Sequence, residues 1–103
     1  MKVGIKKMND KLRNESTDRL AEAFLSIKSK DEMYAIFEDL FTVAEVKALA
    51  QRLDVAIMLS DKEPYTEIVA KTGVSTATIS RVNRCLLYGA DGYNIILDRL
   101  NKK

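Results

Sequence analysis

Apolar residues recur along this chain at three- and four-residue spacing and never in alternation. From Thr17 onward, Leu20, Ala23, Phe24 and Ile27 form one stripe, the period of an amphipathic helix. Ser29, with Glu32 three residues later, then reads as a capping box and opens a second helix carrying Met33, Ile36, Phe37 and Leu40. Thr42 and Glu45 repeat that start. The third stripe is Val46, Leu49, Ala50, Leu53 and Ile57, widened by Ala56 and Leu59, and it runs to Ser60. A face that broad predicts apolar contact on more than one side. Asp61, Lys62, Glu63 and Pro64 form a polar link, with the proline at the start of the next helix. A break at Gly89, Ala90, Asp91 and Gly92 precedes a last stripe of Tyr93, Ile96, Leu97 and Leu100. The pattern predicts an all-α domain of six helices over residues 17–103. Residues 1–16 show no clear period and read as a basic, flexible N-terminal arm.

Between the link and the break, residues 65–88 have the form of a helix-turn-helix. Gly73 can take a positive φ at the end of the first helix. Val74 packs inward from the turn, and Ile68, Ile79 and Val82 fill the space between the helices. Ser75 caps the second helix and leaves its N-terminal end facing outward. The outward positions Thr76, Ala77 and Ser80 are small or polar, so the backbone can approach base edges and methyl groups can meet thymine. Arg81 and Arg84 are placed for phosphate or guanine. Val69 stands where the commonest form of the motif has a small alanine, which predicts a variant helix packing. The bland alternative is a helix pair that packs and binds no nucleic acid.

Charge sharpens this picture. The net charge of the 103 residues is only +2, but its distribution is uneven. Lys2, Lys6, Lys7, Lys11 and Arg13 face Asp10 alone at the N-terminus. Between Glu67 and Asp91 there is no acid, and Lys71, Arg81 and Arg84 are the cations. Both stretches could neutralise phosphates with release of counterions. A mild net charge argues against a purely architectural DNA binder, whose affinity rests on phosphate charge.

The remaining composition removes other classes. There is no histidine, the commonest general base and metal ligand, and the carboxylates Glu38, Asp39 and Glu45 have no glycine-rich loop to work with. We therefore expect no enzyme and no metal site. The one cysteine, Cys85, excludes an internal disulfide and fits a reducing cytoplasm. It is expected to pack as a small buried residue near the end of the recognition helix, and Tyr65, Tyr88 and Tyr93 to anchor the head to the core. No apolar run approaches the ~20 residues of a membrane span, and the N-terminus lacks a secretory signal. The rival to a DNA reader is a helical, dimeric protein-interaction module without specific DNA binding.

The stretches LFTVAEVKALAQRLDVAIML and TGVSTATISRVNR, and the YGADGY break, resemble the Trp repressor superfamily over residues 40–100, most closely its bacterial TrpR-like YerC/YecD group. The resemblance implies a six-helix fold, an intertwined homodimer and two protruding helix-turn-helix heads. Such a dimer sets its reading helices one DNA turn (~34 Å) apart, which favours a pseudo-palindromic operator on double-stranded DNA. By the same resemblance the base-reading positions fall on Thr76, Ala77 and Ser80. Thr66 replaces a basic residue early in the first motif helix, so a different operator is expected. The corepressor positions fall on Thr42, Arg52, Thr78 and Arg81. However, Val82 stands where the family has a glycine that admits the indole, and Cys85 where it has a serine. Overpacking of that kind costs about 1–3 kcal/mol, so tryptophan is not expected to be a corepressor. Arg52 could instead pair with Asp54 or Glu63. No cofactor is implied.

Overall fold

The structure, a computed structural model, describes residues 10–101, and the arm's first nine residues lie outside them. Six α-helices follow one another: α1 (Glu15–Leu25), α2 (Lys30–Leu40), α3 (Val43–Ser60), α4 (Tyr65–Thr72), α5 (Thr76–Tyr88) and α6 (Gly92–Leu100), after a 3-10 turn at Asp10–Leu12. Among the described residues there is no strand. The fold is all-α, as the spacing of apolar residues predicts.

Local capping explains most of the helix starts. Thr42 Oγ1 accepts the Glu45 amide at 3.1 Å while Glu45 Oε1 accepts the Thr42 amide at 2.8 Å, a complete capping box on α3. Ser29 caps α2, but the reciprocal bond differs from expectation. Glu32 Oε1 accepts from the amide of Lys28 at 2.8 Å rather than from that of Ser29. The start of α1 is also corrected. Asn14 Oδ1 accepts the Thr17 amide at 2.9 Å and Thr17 Oγ1 accepts the Asn14 amide at 3.0 Å, so the helix opens at Glu15, inside the stretch read as an arm.

The described chain divides into two compact units, one up to Lys47 and one from Ala48, with the boundary inside α3. In the first, α1 and α2 contain no buried residue. Their ordered apolar feature is an aromatic run: Phe24 to Phe41 at 6.1 Å between ring centroids, Phe41 to Phe37 at 5.9 Å and Phe37 to Tyr34 at 5.7 Å. Leu12, Leu25, Tyr34, Leu40 and Val43 are all exposed, Leu25 at 85%. Two helices of this length cannot bury enough surface alone to offset the entropy of ordering them.

The second unit has a core, made of Val55, Ala56, Ile68, Ile79, Val82 and Leu97. The expected inner face of α3 included Ala56, Ile57 and Leu59, which the core uses, but not Val55 or Met58, which it uses as well. Val55 and Ala56 are fully buried, whereas Leu49 is 43% exposed and Leu53 and Ile57 are only half-buried. The second half of the helix packs inward through Val55 and Ala56 with Ile57, Met58 and Leu59 against them, and Leu49 and Ala50 of the predicted stripe stay exposed.

Candidate nucleic-acid interface

The helix-turn-helix lies wholly in the second unit. Ile68 of α4 and Ile79 of α5 are fully buried and Val82 is 2% exposed, so the three residues predicted to fill the angle between the helices do fill it. Val74 packs against them from the turn. The turn depends on Gly73, whose φ is 75° and whose amide donates to the Val69 carbonyl oxygen at 2.8 Å. An L side chain rarely takes that backbone conformation. Thr72 secures the approach: its hydroxyl donates to the Ile68 carbonyl oxygen at 2.7 Å and accepts from the Val74 amide at 3.3 Å.

Ser75 then starts α5 in an extended conformation, and its Oγ accepts the Thr78 amide at 3.2 Å. The Thr78 hydroxyl lies 3.1 Å from Ser75 Oγ, so the two share a local bond. With α5 buried through Ile79 and Val82, its opposite face is free. Thr76, Ala77, Ser80, Arg81 and Arg84 are all exposed, as are Thr66 on α4 and Ser75 at the cap. One helix therefore presents small polar groups, a methyl and two guanidinium groups together, next to the Ser75-capped N-terminal end.

Lys71 departs from this set. Its Nζ lies 2.9 Å from Glu63 Oε1. That hydrogen bond, and then the charge of the same carboxylate, raises the Lys71 pKa above its ordinary value. The sequence offers Glu63 as a partner for Arg52, but Glu63 pairs with Lys71, eight residues along the chain. No short-range pattern announces it.

Three of the four residues assigned to a corepressor site come together. Arg52, Thr78 and Arg81 line a cleft of about 460 Å³ with Gln51, Val82 and Cys85. Thr42 belongs to the first unit, where its side chain caps α3. Cys85 is exposed in this cleft rather than buried, and α5 continues past it to Tyr88. The tyrosines also divide. Tyr93 packs against the core, but Tyr88 is 80% exposed among the described residues. Among the described residues no cluster of histidine, cysteine and carboxylate side chains could hold a metal, and no helix is long and apolar enough to cross a membrane.

Comparisons with known proteins agree with this fold. The family model described as Trp repressor protein matches residues 15–101. The uncharacterized protein YerC of Bacillus subtilis is 50% identical over 93 residues, covering 90% of this chain and 89% of that one. The crystal structure of a TrpR like protein from Eubacterium eligens superposes with a TM-score of 0.86 at 49% identity, covering 91% of this chain and 97% of that one. A candidate Trp repressor from Staphylococcus aureus gives a TM-score of 0.86 at 45% identity, covering 94% and 98%.

Proposed function

The chain belongs to the Trp repressor family, a family of DNA-binding regulators, and from that premise we propose that it is a sequence-specific transcriptional regulator. The observation that carries this reading is the exposed face of α5. Thr76, Ala77 and Ser80 read base edges from a helix end brought close by Ser75 and Gly73. Arg81 and Arg84 engage phosphate or guanine, and Thr66 touches the backbone from α4. The head acts within a homodimer on a pseudo-palindromic operator. The dimer is supported by helices α1 and α2, which bury no residue fully, and by the exposed Leu49 and Ala50 of α3, apolar surfaces that a second copy would cover. Tryptophan does not gate binding, because Val82 occupies the place where the family has glycine and is held there by the core.

Selection of bound fragments from genomic DNA, followed by titration at two salt concentrations with competitor DNA, tests the proposal. A regulator of this kind retains one preferred, two-fold symmetric site as salt rises. Loss of all binding at low salt would instead identify a protein-interaction module. Arg81→Ala should weaken every site, while Thr76→Val and Ser80→Ala should change which site is preferred. Identical effects of the three would overturn the division of roles.

A further inference from the structure

The loop before α4 carries a carboxylate that engages the cation at the far end of the same helix. Lys62 takes a positive φ of 66°, and the amides of Lys62 and Glu63 donate to the carbonyl oxygens of Leu59 and Met58, each at 3.0 Å. These bonds end α3 and fix the backbone of Glu63. Its side chain is the more enclosed partner of the pair, 25% exposed against 52% for Lys71. Glu63 is thus the held group and Lys71 the movable one. Lys71 sits in the last turn of α4, two residues before the glycine turn that presents α5.

We propose that Glu63 is a positioning residue that holds the Lys71 ammonium along α4 and withholds it from the DNA backbone. The head then neutralises one phosphate fewer than its cations would allow. The proposal rests on the reading of this head as a DNA binder. A lysine–phosphate contact contributes mainly through counterion release, a term that favours every sequence equally. Withholding it lowers non-specific affinity and leaves the discrimination to Thr76, Ala77 and Ser80. Fold stability does not account for the pair, since an ion pair open to water adds little. The Glu63 hydrogen bond and charge, with a smaller contribution from Glu67, also keep Lys71 protonated. A neutral amine is therefore not what keeps it from phosphate.

The test uses the full chain as wild type, Glu63→Gln, Lys71→Met and the double variant. Affinity is measured for a random-sequence duplex and a selected duplex over a salt series, alongside thermal melts. Glu63→Gln should steepen the slope of log affinity against log salt by about 0.9, the value of one phosphate. Between 1 M and 0.1 M salt that is a gain of about eightfold over wild type. Lys71→Met should leave the wild-type slope unchanged, and the double variant should return to it. An unchanged slope in Glu63→Gln, or a slope about 0.9 shallower in Lys71→Met, would show that Glu63 withholds nothing and overturn the proposal. Weaker binding of both duplexes by Glu63→Gln, with a lower melting temperature, would make the pair a structural brace and overturn it as well. A wild type that binds no duplex at low salt would remove the DNA reading and this proposal with it. A wild type that binds while Glu63→Gln behaves identically removes the proposal alone.

Discussion

The Nε2 of Gln51 donates to the carbonyl oxygen of Thr72 at 3.3 Å, joining α3 to the last residue of α4, 21 positions away. Thr72 is also the residue whose hydroxyl secures the turn. The bond therefore fixes the end of α4 relative to the long helix, just where the chain turns toward α5. Gln51→Ala should cost about 0.5–1.5 kcal/mol, the net worth of one such bond. For a domain of this size that is a fall of roughly 4–8 °C in Tm for each kcal/mol, read from a thermal melt. DNA affinity should fall with it if the angle of the head matters.

The two substitutions at Ser75 should separate stability from binding. Ser75→Ala removes the acceptor for the Thr78 amide and should destabilise by about 0.5–2 kcal/mol. Ser75→Asp keeps an acceptor and favours the helix dipole, so its melt should match or exceed wild type. Its carboxylate, however, would face DNA phosphate. Equal DNA affinity in Ser75→Asp and wild type would place the α5 N-terminus away from the duplex.

Gly73 and Gly89 should resist alanine for different reasons. A Cβ at Gly73 meets nothing within 4 Å, so the penalty is that of a left-handed backbone alone, about 1–2 kcal/mol. Gly73→Asn should be milder than Gly73→Ala. At Gly89 the φ is −83°, which suits any residue, but a Cβ would fall 2.5 Å from the Cys85 carbonyl oxygen. Backbone cannot move aside as a side chain can, so Gly89→Ala should be the costlier change in a denaturant titration.

Calorimetric titration of the purified chain with tryptophan should show no stoichiometric binding in the micromolar range. Val82 is part of the core, between α5 and its neighbours, and cannot swing out to admit an indole. The expected penalty of about 1–3 kcal/mol corresponds to a loss of roughly five- to 150-fold. A saturable micromolar heat would show that the cleft beside Arg52 and Arg81 accommodates the ligand despite Val82.

Melting temperature should rise with protein concentration, as it does when folding is linked to association. Sedimentation should give twice the chain mass at micromolar concentration. A concentration-independent melt and a monomeric mass would leave Leu25 and Val43 in solvent, 85% and 73% exposed, with no partner to cover them.

What the sequence by itself determined is local. The caps at Thr42 and Ser75, the glycine turn at Gly73 and the inward residues Ile68, Ile79 and Val82 all rest on groups three or four residues apart, where helix geometry dictates who meets whom. The cap at Asn14 is equally local but uses Thr17 where a glutamate or glutamine is the usual signal, so the spacing of apolar residues placed the helix start two residues late. Only the tertiary structure decided which face of α3 turns inward. Its apolar residues surround enough of the helix that periodicity admits more than one inner face, and the packing of the core selects Val55 beside the expected Ala56. Asp91 is a similar case. It takes a positive φ of 71° before Gly92 and is 6% exposed, a burial set by the elements around it. The pairing of Glu63 with Lys71 and the exposure of Cys85 and Tyr88 likewise depend on where neighbouring elements lie in space. Side chains that meet across a turn leave no periodic trace in the chain.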